Sequence, residues 1–288
     1  MIHSSRMKSA IERTSDGTIT LTVTIPWTDI KSLYQVVVDE NVANAEISGF
    51  RKGKAPKKMV EENLDKTKVY EETIRRLVPK AYSDAVSEHK LTPIMMPQID
   101  LKSAEEGKDW IILAKTCEKP KVTLGDYKKA VGDLKFSKTK KIFIPGKEEA
   151  PNDDKKGPSV DEVLAALLTA VKVAIPAILI DHEVTHQLSQ LVDQTKKLGL
   201  SVEQYLASTN RTADSVRTEY AGIAEKNLSL EFALEAIADH DHIEVSNDEI
   251  AKILESAKTP EERQNLESQR YYLTSLVRRQ KTMDALMA

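Results

Sequence analysis

Residues Thr18-Ile19-Thr20-Leu21-Thr22-Val23-Thr24-Ile25 alternate polar and apolar without a break. Successive side chains on a strand point to opposite faces. The octet therefore reads as a half-buried strand, with Ile19, Leu21, Val23 and Ile25 inward and four threonines outward. Such a strand needs a layer against its apolar face, and the sequence downstream supplies one. Pro26 ends the strand, and Thr28 stands where it would cap a helix running to about Asn44. On that helix Ile30, Leu33, Tyr34, Val37 and Val38 share one face. A short helix opens with Pro56 as its first residue and runs to about Leu64. A longer one spans about Val69 to His89, with Ile74, Leu77, Val78, Ala81, Tyr82 and Ala85 as its stripe. Strand patterns return near Gln98–Leu101 and Trp110–Cys117. The order strand, helices, strands predicts an α+β domain with its helices on one face of a small antiparallel sheet.

The second half reads differently. Lys138-Thr139-Lys140-Lys141-Ile142-Phe143-Ile144 predicts one more strand, and residues 145–158 are nearly all polar, Pro or Gly, the composition of a linker. After Ser159 the periodicity is helical throughout. Ser159 with Glu162, Ser201 with Gln204, Ser246 with Glu249 and Thr259 with Glu262 are four capping boxes. Ile175-Pro176 opens a helix that Gly199 stops, a long helix covers about Ala213 to Asp239, and the helix from Pro260 is predicted to run nearly to the C-terminus. Three regions follow: an α+β domain over 1–128, an extended strand and linker over 129–158, and an all-α domain of helical arms over 159–288.

Composition narrows the function classes. The 288 residues are 40% hydrophobic and 30% charged, against a usual charged share of about 25%, and only 5% are aromatic. No apolar run reaches the roughly 18 residues of a membrane span, and the first residues lack the apolar core of a secretory signal, so the expected compartment is the cytoplasm. Cys117 stands alone, so no intrachain disulfide forms; within a strand pattern it reads as a small core residue. The net charge of −3 argues against a general nucleic-acid binder. The charge is unevenly spread: about +3 before residue 131, about +2 over 131–160 and about −8 beyond.

The strongest functional signal is Gly49-Phe50-Arg51-Lys52-Gly53-Lys54-Ala55-Pro56. One apolar ring stands beside three cations in a stretch framed by glycines and closed by proline. Exposed apolar surface is unfavourable, so a Phe at a loop tip points to a partner, and the cations suit one rich in phosphate or carboxylate. Lys57 and Lys58 would add long-range attraction. This octet, in its strand-helix-loop-helix context, resembles the ribosome-docking signature of the trigger-factor chaperones. Thr92-Pro93 and the strands around Pro97 and Trp110 also fit that family's first domain, and Ile175-Pro176-Ala177-Ile178-Leu179-Ile180-Asp181-His182-Glu183 is similar to the proline-opened helix of its helical domain.

The resemblance implies an ATP-independent chaperone without cofactors. Gly49, Phe50, Arg51, Lys52, Gly53, Lys54 and Pro56 would form its ribosome-binding loop, with the Phe-Arg-Lys tip contacting protein and RNA beside the tunnel exit. Nascent and unfolded chains would be held on helical arms, with weak self-association off the ribosome left open and neither membrane nor free nucleic acid as partner. Around Leu228, Leu230, Phe232 and Leu234 apolar residues fall on more than one face, which fits either a helix packed between two neighbours or a client surface. The family also carries, between its two other parts, a prolyl isomerase domain of roughly a hundred residues. Only about 30 residues stand there in this chain, so isomerase activity is not carried over and no enzyme is expected.

Two alternatives come from the residues themselves. His182-Glu183-Val184-Thr185-His186 is a literal H-E-x-x-H on a helix, the pattern in which two histidines hold zinc and the glutamate activates water. It would need a third ligand, with Glu203, Glu219 and Glu231 as candidates, and no companion motif marks any of them. The other alternative is a helical holdase working away from the ribosome.

Overall fold

The computed structural model describes residues 7–46, 50–51, 56–139 and 158–288, and of 135–139 the backbone alone. It divides into two units, Met1–Lys119 and Pro120–Ala288.

The first unit holds β1 (Lys8–Arg13), β2 (Thr18–Ile25), α1 (Trp27–Asn44), α2 (Lys57–Asn63), α3 (Lys66–Glu88), β3 (Gln98–Ser103) and β4 (Trp110–Cys117). The strands form one antiparallel sheet in the order β1-β2-β4-β3. Ile19, Leu21, Val23 and Ile25 are all fully buried, as their alternation predicts, and lie opposite Thr116, Ala114, Ile112 and Trp110 of β4. Against this face pack Ile30 of α1 and Leu77, Val78, Ala81 and Ala85 of α3. Each large aliphatic side chain so buried contributes about 1.5–3 kcal/mol. Tilted ring contacts continue the core outward: Tyr34 on α1 lies 4.8 Å from Tyr70 on α3, and Tyr70 lies 5.9 Å from Trp110.

Two local readings are corrected. Thr28 does not cap α1. The helix starts at Trp27 behind Pro26, and the Trp27 N–H donates to the Asp109 carboxylate at 2.9 Å, a cap supplied from 82 residues away. Pro56 is the N-cap of α2, not its first helical residue. The strand β1 was not foreseen at all. Its sequence Lys-Ser-Ala-Ile-Glu-Arg has no apolar alternation, and it is held by pairing to β2 through a turn in which Gly17 takes φ +91°, a value glycine adopts without strain.

The second unit contains β5 (Val122–Thr123), α4 (Tyr127–Thr139), α5 (Val160–Ala170), β6 (Lys172–Val173), α6 (Ala177–Lys197), α7 (Val202–Ser208), α8 (Ala213–His240), α9 (Asn247–Glu255), α10 (Pro260–Ser268) and α11 (Arg270–Met287). β5 and β6 pair as a short antiparallel ribbon. Where the chain enters α4, Gly125 has φ +55° and a Cβ there would collide with the Ala170 carbonyl oxygen, so only glycine fits. The core joins Tyr127 and Val131 of α4, Val163 and Leu167 of α5, Ala233, Leu234 and Ile237 of α8, and Leu286 of α11. Complete capping boxes form at Ser159, Ser201 and Ser246, and also at Thr212 with Ser215; Thr259 accepts from the Glu262 N–H.

Here too the boundaries move. The strand and linker expected over 129–158 gives way to helix up to Thr139, because Tyr127, Val131 and Leu134 repeat at helical spacing and Val131 is buried in the core. Lys138 and Thr139, expected in a strand, belong to this helix, and the rest of that stretch lies outside the described residues. The helix expected from Pro260 to the C-terminus divides at Gln269, whose ψ of +17° leaves the helical range and separates α10 from α11.

Candidate functional site

The loop between α1 and α2 is set by the two helices that flank it. Val37 and Val38 of α1 are buried together with Val69 of α3, and Val60 anchors α2. This fixes the end of α1 and the start of α2. At the loop's tip the Phe50 ring is 43% exposed, and Arg51 beside it is exposed as well. A large aromatic with that much of its surface free is not a core residue. Pro56, also exposed, closes the loop and accepts at its carbonyl from the N–H groups of Met59 and Val60. Gly49, Lys52, Gly53 and Lys54 lie outside the described residues.

The stems of the loop carry a dense set of ion pairs, and no local sequence pattern announces those between helices. Lys57, the first residue of α2, lies 2.5 Å from Asp39 of α1 and 3.8 Å from Glu61. Arg76 of α3 reaches Glu40 of α1 at 2.8 Å and Glu72 at 2.7 Å. Hydrogen bonds from Lys57 and Gln35 hold the Asp39 carboxyl below its ordinary pKa, Arg76 does the same to Glu40, and the Arg76 guanidinium is stabilised further in its charged form. Between α1 and α3 a cleft of about 360 Å³ is lined by Val37, Leu64 and Val69 and by Glu40, Glu72 and Arg76 themselves.

Comparison with known sequences decides what kind of chain this is. The family model for the bacterial trigger factor protein matches residues 7–141, and the model for the trigger factor C-terminus matches 147–288. The chain belongs to the trigger factor family. The two matches leave only residues 142–146 between them, too few for an interposed domain. Trigger factor of Lactococcus lactis subsp. cremoris (strain MG1363) is 36% identical over 122 residues, 42% of this chain and 29% of the relative. That of Streptococcus mutans serotype c is 33% identical over 132 residues, 46% and 31%. That of Moorella thermoacetica is 33% identical over 121 residues, 42% and 27%. The matched stretch thus spans under a third of these trigger factors' own length. A solved structure concerned with promiscuous substrate recognition in folding and assembly activities of the trigger factor chaperone aligns with TM-score 0.62 and 13% identity, covering 98% of this chain and 99% of that one. At that identity the likeness is one of fold, and it agrees with the small antiparallel sheet with helices followed by a mostly helical region.

In this trigger-factor chain the H-E-x-x-H motif lies on α6 with His182 and His186 both exposed. Glu183 accepts from Gln187 at 3.0 Å, and His186 is 3.3 Å from Gln190. Glu219 pairs with Arg211 and Glu231 with Arg279, while Glu203 sits in the first turn of α7. Among the described residues no three His, Cys, Asp or Glu side chains are grouped to hold a metal ion, and the zinc hydrolase reading is set aside. Cys117 is buried, and burial pushes its thiol up to about 11, which keeps it protonated and unreactive near neutrality.

The four apolar residues of α8 divide. Phe232 and Leu234 are buried, Leu234 within the core shared with α4, α5 and α11; Leu228 and Leu230 are half-buried. The broad apolar face of α8 is thus largely used in packing. Ile223 on α8 is exposed, and the most exposed large apolar side chains of the helical unit are Leu198 (72%) after α6 and Tyr271 (90%) on α11, with Tyr272 and Leu276 beside the latter.

A polar cluster at the end of α8 also escaped notice in the sequence. Asp241 accepts from the Tyr127 hydroxyl at 2.9 Å and from Lys128 Nζ at 2.8 Å, with His240 Nδ1 2.9 Å away. Lys128 is the main cause that holds the Asp241 carboxyl down at about 2. The partners are 113 and 114 residues apart, and no local pattern announces them.

Proposed function

We propose that the chain is an ATP-independent chaperone of the cytoplasm that docks beside the ribosomal tunnel exit through its 49–56 loop and holds nascent or unfolded segments on its helical unit. The observation that carries this reading is the exposed Phe50 beside the exposed Arg51, in the interval between α1 and α2. An apolar ring filling a socket while flanking cations pair with phosphate or carboxylate gives compact binding that weakens with salt. Family membership supports the same reading. Client contacts are assigned to dispersed exposed groups, Tyr271, Tyr272, Leu276 and Leu198, together with the half-exposed Leu228 and Leu230, because many weak apolar contacts release without nucleotide. No prolyl isomerisation is assigned to this function, a reading supported by the short interval between the two matched regions.

Co-sedimentation with bacterial ribosomes at low and moderate salt, for the wild type and for Phe50→Ala/Arg51→Ala/Lys52→Ala, tests the docking. Salt-sensitive binding lost in the triple variant is the expected result. Binding indifferent to the substitutions removes the loop from the reading, and prolyl isomerase activity in the purified chain would overturn the last assignment.

A further inference from the structure

Taken at face value, Lys57 extends the run of cations Arg51, Lys52 and Lys54 and would be counted as a contact to the anionic partner. Its surroundings give it different work. Its ammonium lies 2.5 Å from the Asp39 carboxylate on the far side of the loop and 3.8 Å from Glu61. Asp39 also accepts from Gln35 at 3.2 Å. The next residue of α1, Glu40, is held by two nitrogens of Arg76 at 2.8 and 3.0 Å, and Arg76 is fixed in turn by Glu72 at 2.7 Å. Two consecutive carboxylates near the end of α1 are thus tied, one to the start of α2 and one to α3. The first turn of α2 holds two lysines, no acid and no side-chain cap, the unfavourable sign for a helix start; Asp39 supplies the missing negative charge.

We propose that Lys57 is a positioning residue of the docking loop and not one of its contacts, pairing with Asp39 across the loop's base while Arg76 and Glu40 hold α1 to α3. The inference rests on the docking reading above. A cation already compensated within the chain contributes little field to an outside anion. Stems held at a set separation, by contrast, reduce the ordering that docking would otherwise have to supply. The pairs are solvent-exposed, so the effect is modest: loss of the Lys57–Asp39 pair should weaken ribosome binding about two- to fivefold.

The test uses the whole chain in four forms: wild type, Lys57→Ala, Asp39→Ala and the swap Asp39→Lys/Lys57→Asp. Two quantities are measured, ribosome affinity as a function of salt and hydrogen exchange of the free protein at the amides of 42–45 and 59–61. Each single variant should weaken binding and speed exchange, and the swap should bring both back near wild type with the salt dependence unchanged. A direct contact would behave otherwise: Lys57→Ala would lower the slope of log K against log salt by about one, leave exchange untouched, and gain nothing from the swap. That result overturns the proposal. Should wild type and Phe50→Ala fail alike to sediment with ribosomes, the docking reading falls. Exchange in the free protein then decides separately whether Lys57 and Asp39 hold the stems, unchanged exchange in both single variants refuting it.

Discussion

Two phenylalanines, Phe50 and Phe232, separate the working principles of the two units. Phe50 follows a glycine, precedes cations and lies between helices that have already buried their own apolar faces; its ring is 43% exposed. Phe232 lies among Leu230, Ala233 and Leu234 in the middle of a 28-residue helix and is 9% exposed. Both stand in apolar or mixed surroundings in the sequence, yet one has no layer to pack against and the other has its neighbouring helices. In the first unit the surface proposed to face a partner is compressed into a few adjacent residues. In the second the residues that look most apolar are consumed by the core, and what faces solvent is scattered over several elements.

The sharpest way to break this contrast is Phe232→Ala. Removing a buried ring of this kind costs about 3 kcal/mol or more. Both tryptophans, Trp27 and Trp110, belong to the first unit, so tryptophan fluorescence follows that unit alone while circular dichroism at 222 nm is dominated by the helices of the second. Phe232→Ala should lower the urea midpoint seen by circular dichroism and leave the fluorescence midpoint in place. An unchanged circular-dichroism midpoint would return Phe232 to the list of free surface residues.

Such contrasts also mark how far the sequence could be read. The buried positions of β2 follow from strict alternation, and the helix starts at Ser159, Ser201 and Ser246 from side chains three residues apart, because the physics involved is local. The 49–56 loop is legible for the same reason: its glycines, ring, cations and proline are contiguous. What stayed hidden depends on distant partners. β1 is a strand because β2 pairs with it, α1 is capped by Asp109, and Asp241 meets Tyr127 and Lys128 from more than a hundred residues away. Lys57 was read by its charge alone, and only folding brings Asp39 to its side. With α4 the signal was present, since Tyr127, Val131 and Leu134 keep helical spacing, but the lysine-rich sequence after them carried the reading toward a linker.

The next effect down in size concerns acid. Asp241 and Glu249 both have carboxyls held at about 2, the first chiefly by Lys128 and the second chiefly by Lys281. A folded-state pKa below the unfolded one means that the stabilisation is complete above about pH 5 and is lost as pH falls through about 2. The circular-dichroism melting temperature should therefore drop over that window, and Asp241→Asn should flatten part of the drop. At neutral pH the same substitution removes hydrogen bonds to a charged group and should lower stability by about 1 kcal/mol. An acid profile identical to wild type would exclude the cluster that joins α4 to α8.

Ser246→Ala removes one half of a capping box and should cost about 1 kcal/mol in the helical transition alone. Smallest of all, Tyr271→Ala on the exposed face of α11 should stay within about 0.5 kcal/mol of wild type. It should nonetheless reduce the suppression of aggregation of a refolding client. A stability loss as large as that of Phe232→Ala would place Tyr271 in the core and erase the contrast from the other side.

Whether Phe50 serves a partner and not the fold is decided by ribosome affinity measured beside the fluorescence melt of Phe50→Ala. The expected result is binding weaker by roughly 30-fold, the effect of losing a well-seated aromatic anchor, at an unchanged fluorescence midpoint. Unaltered affinity, or a fall in that midpoint, would contradict it.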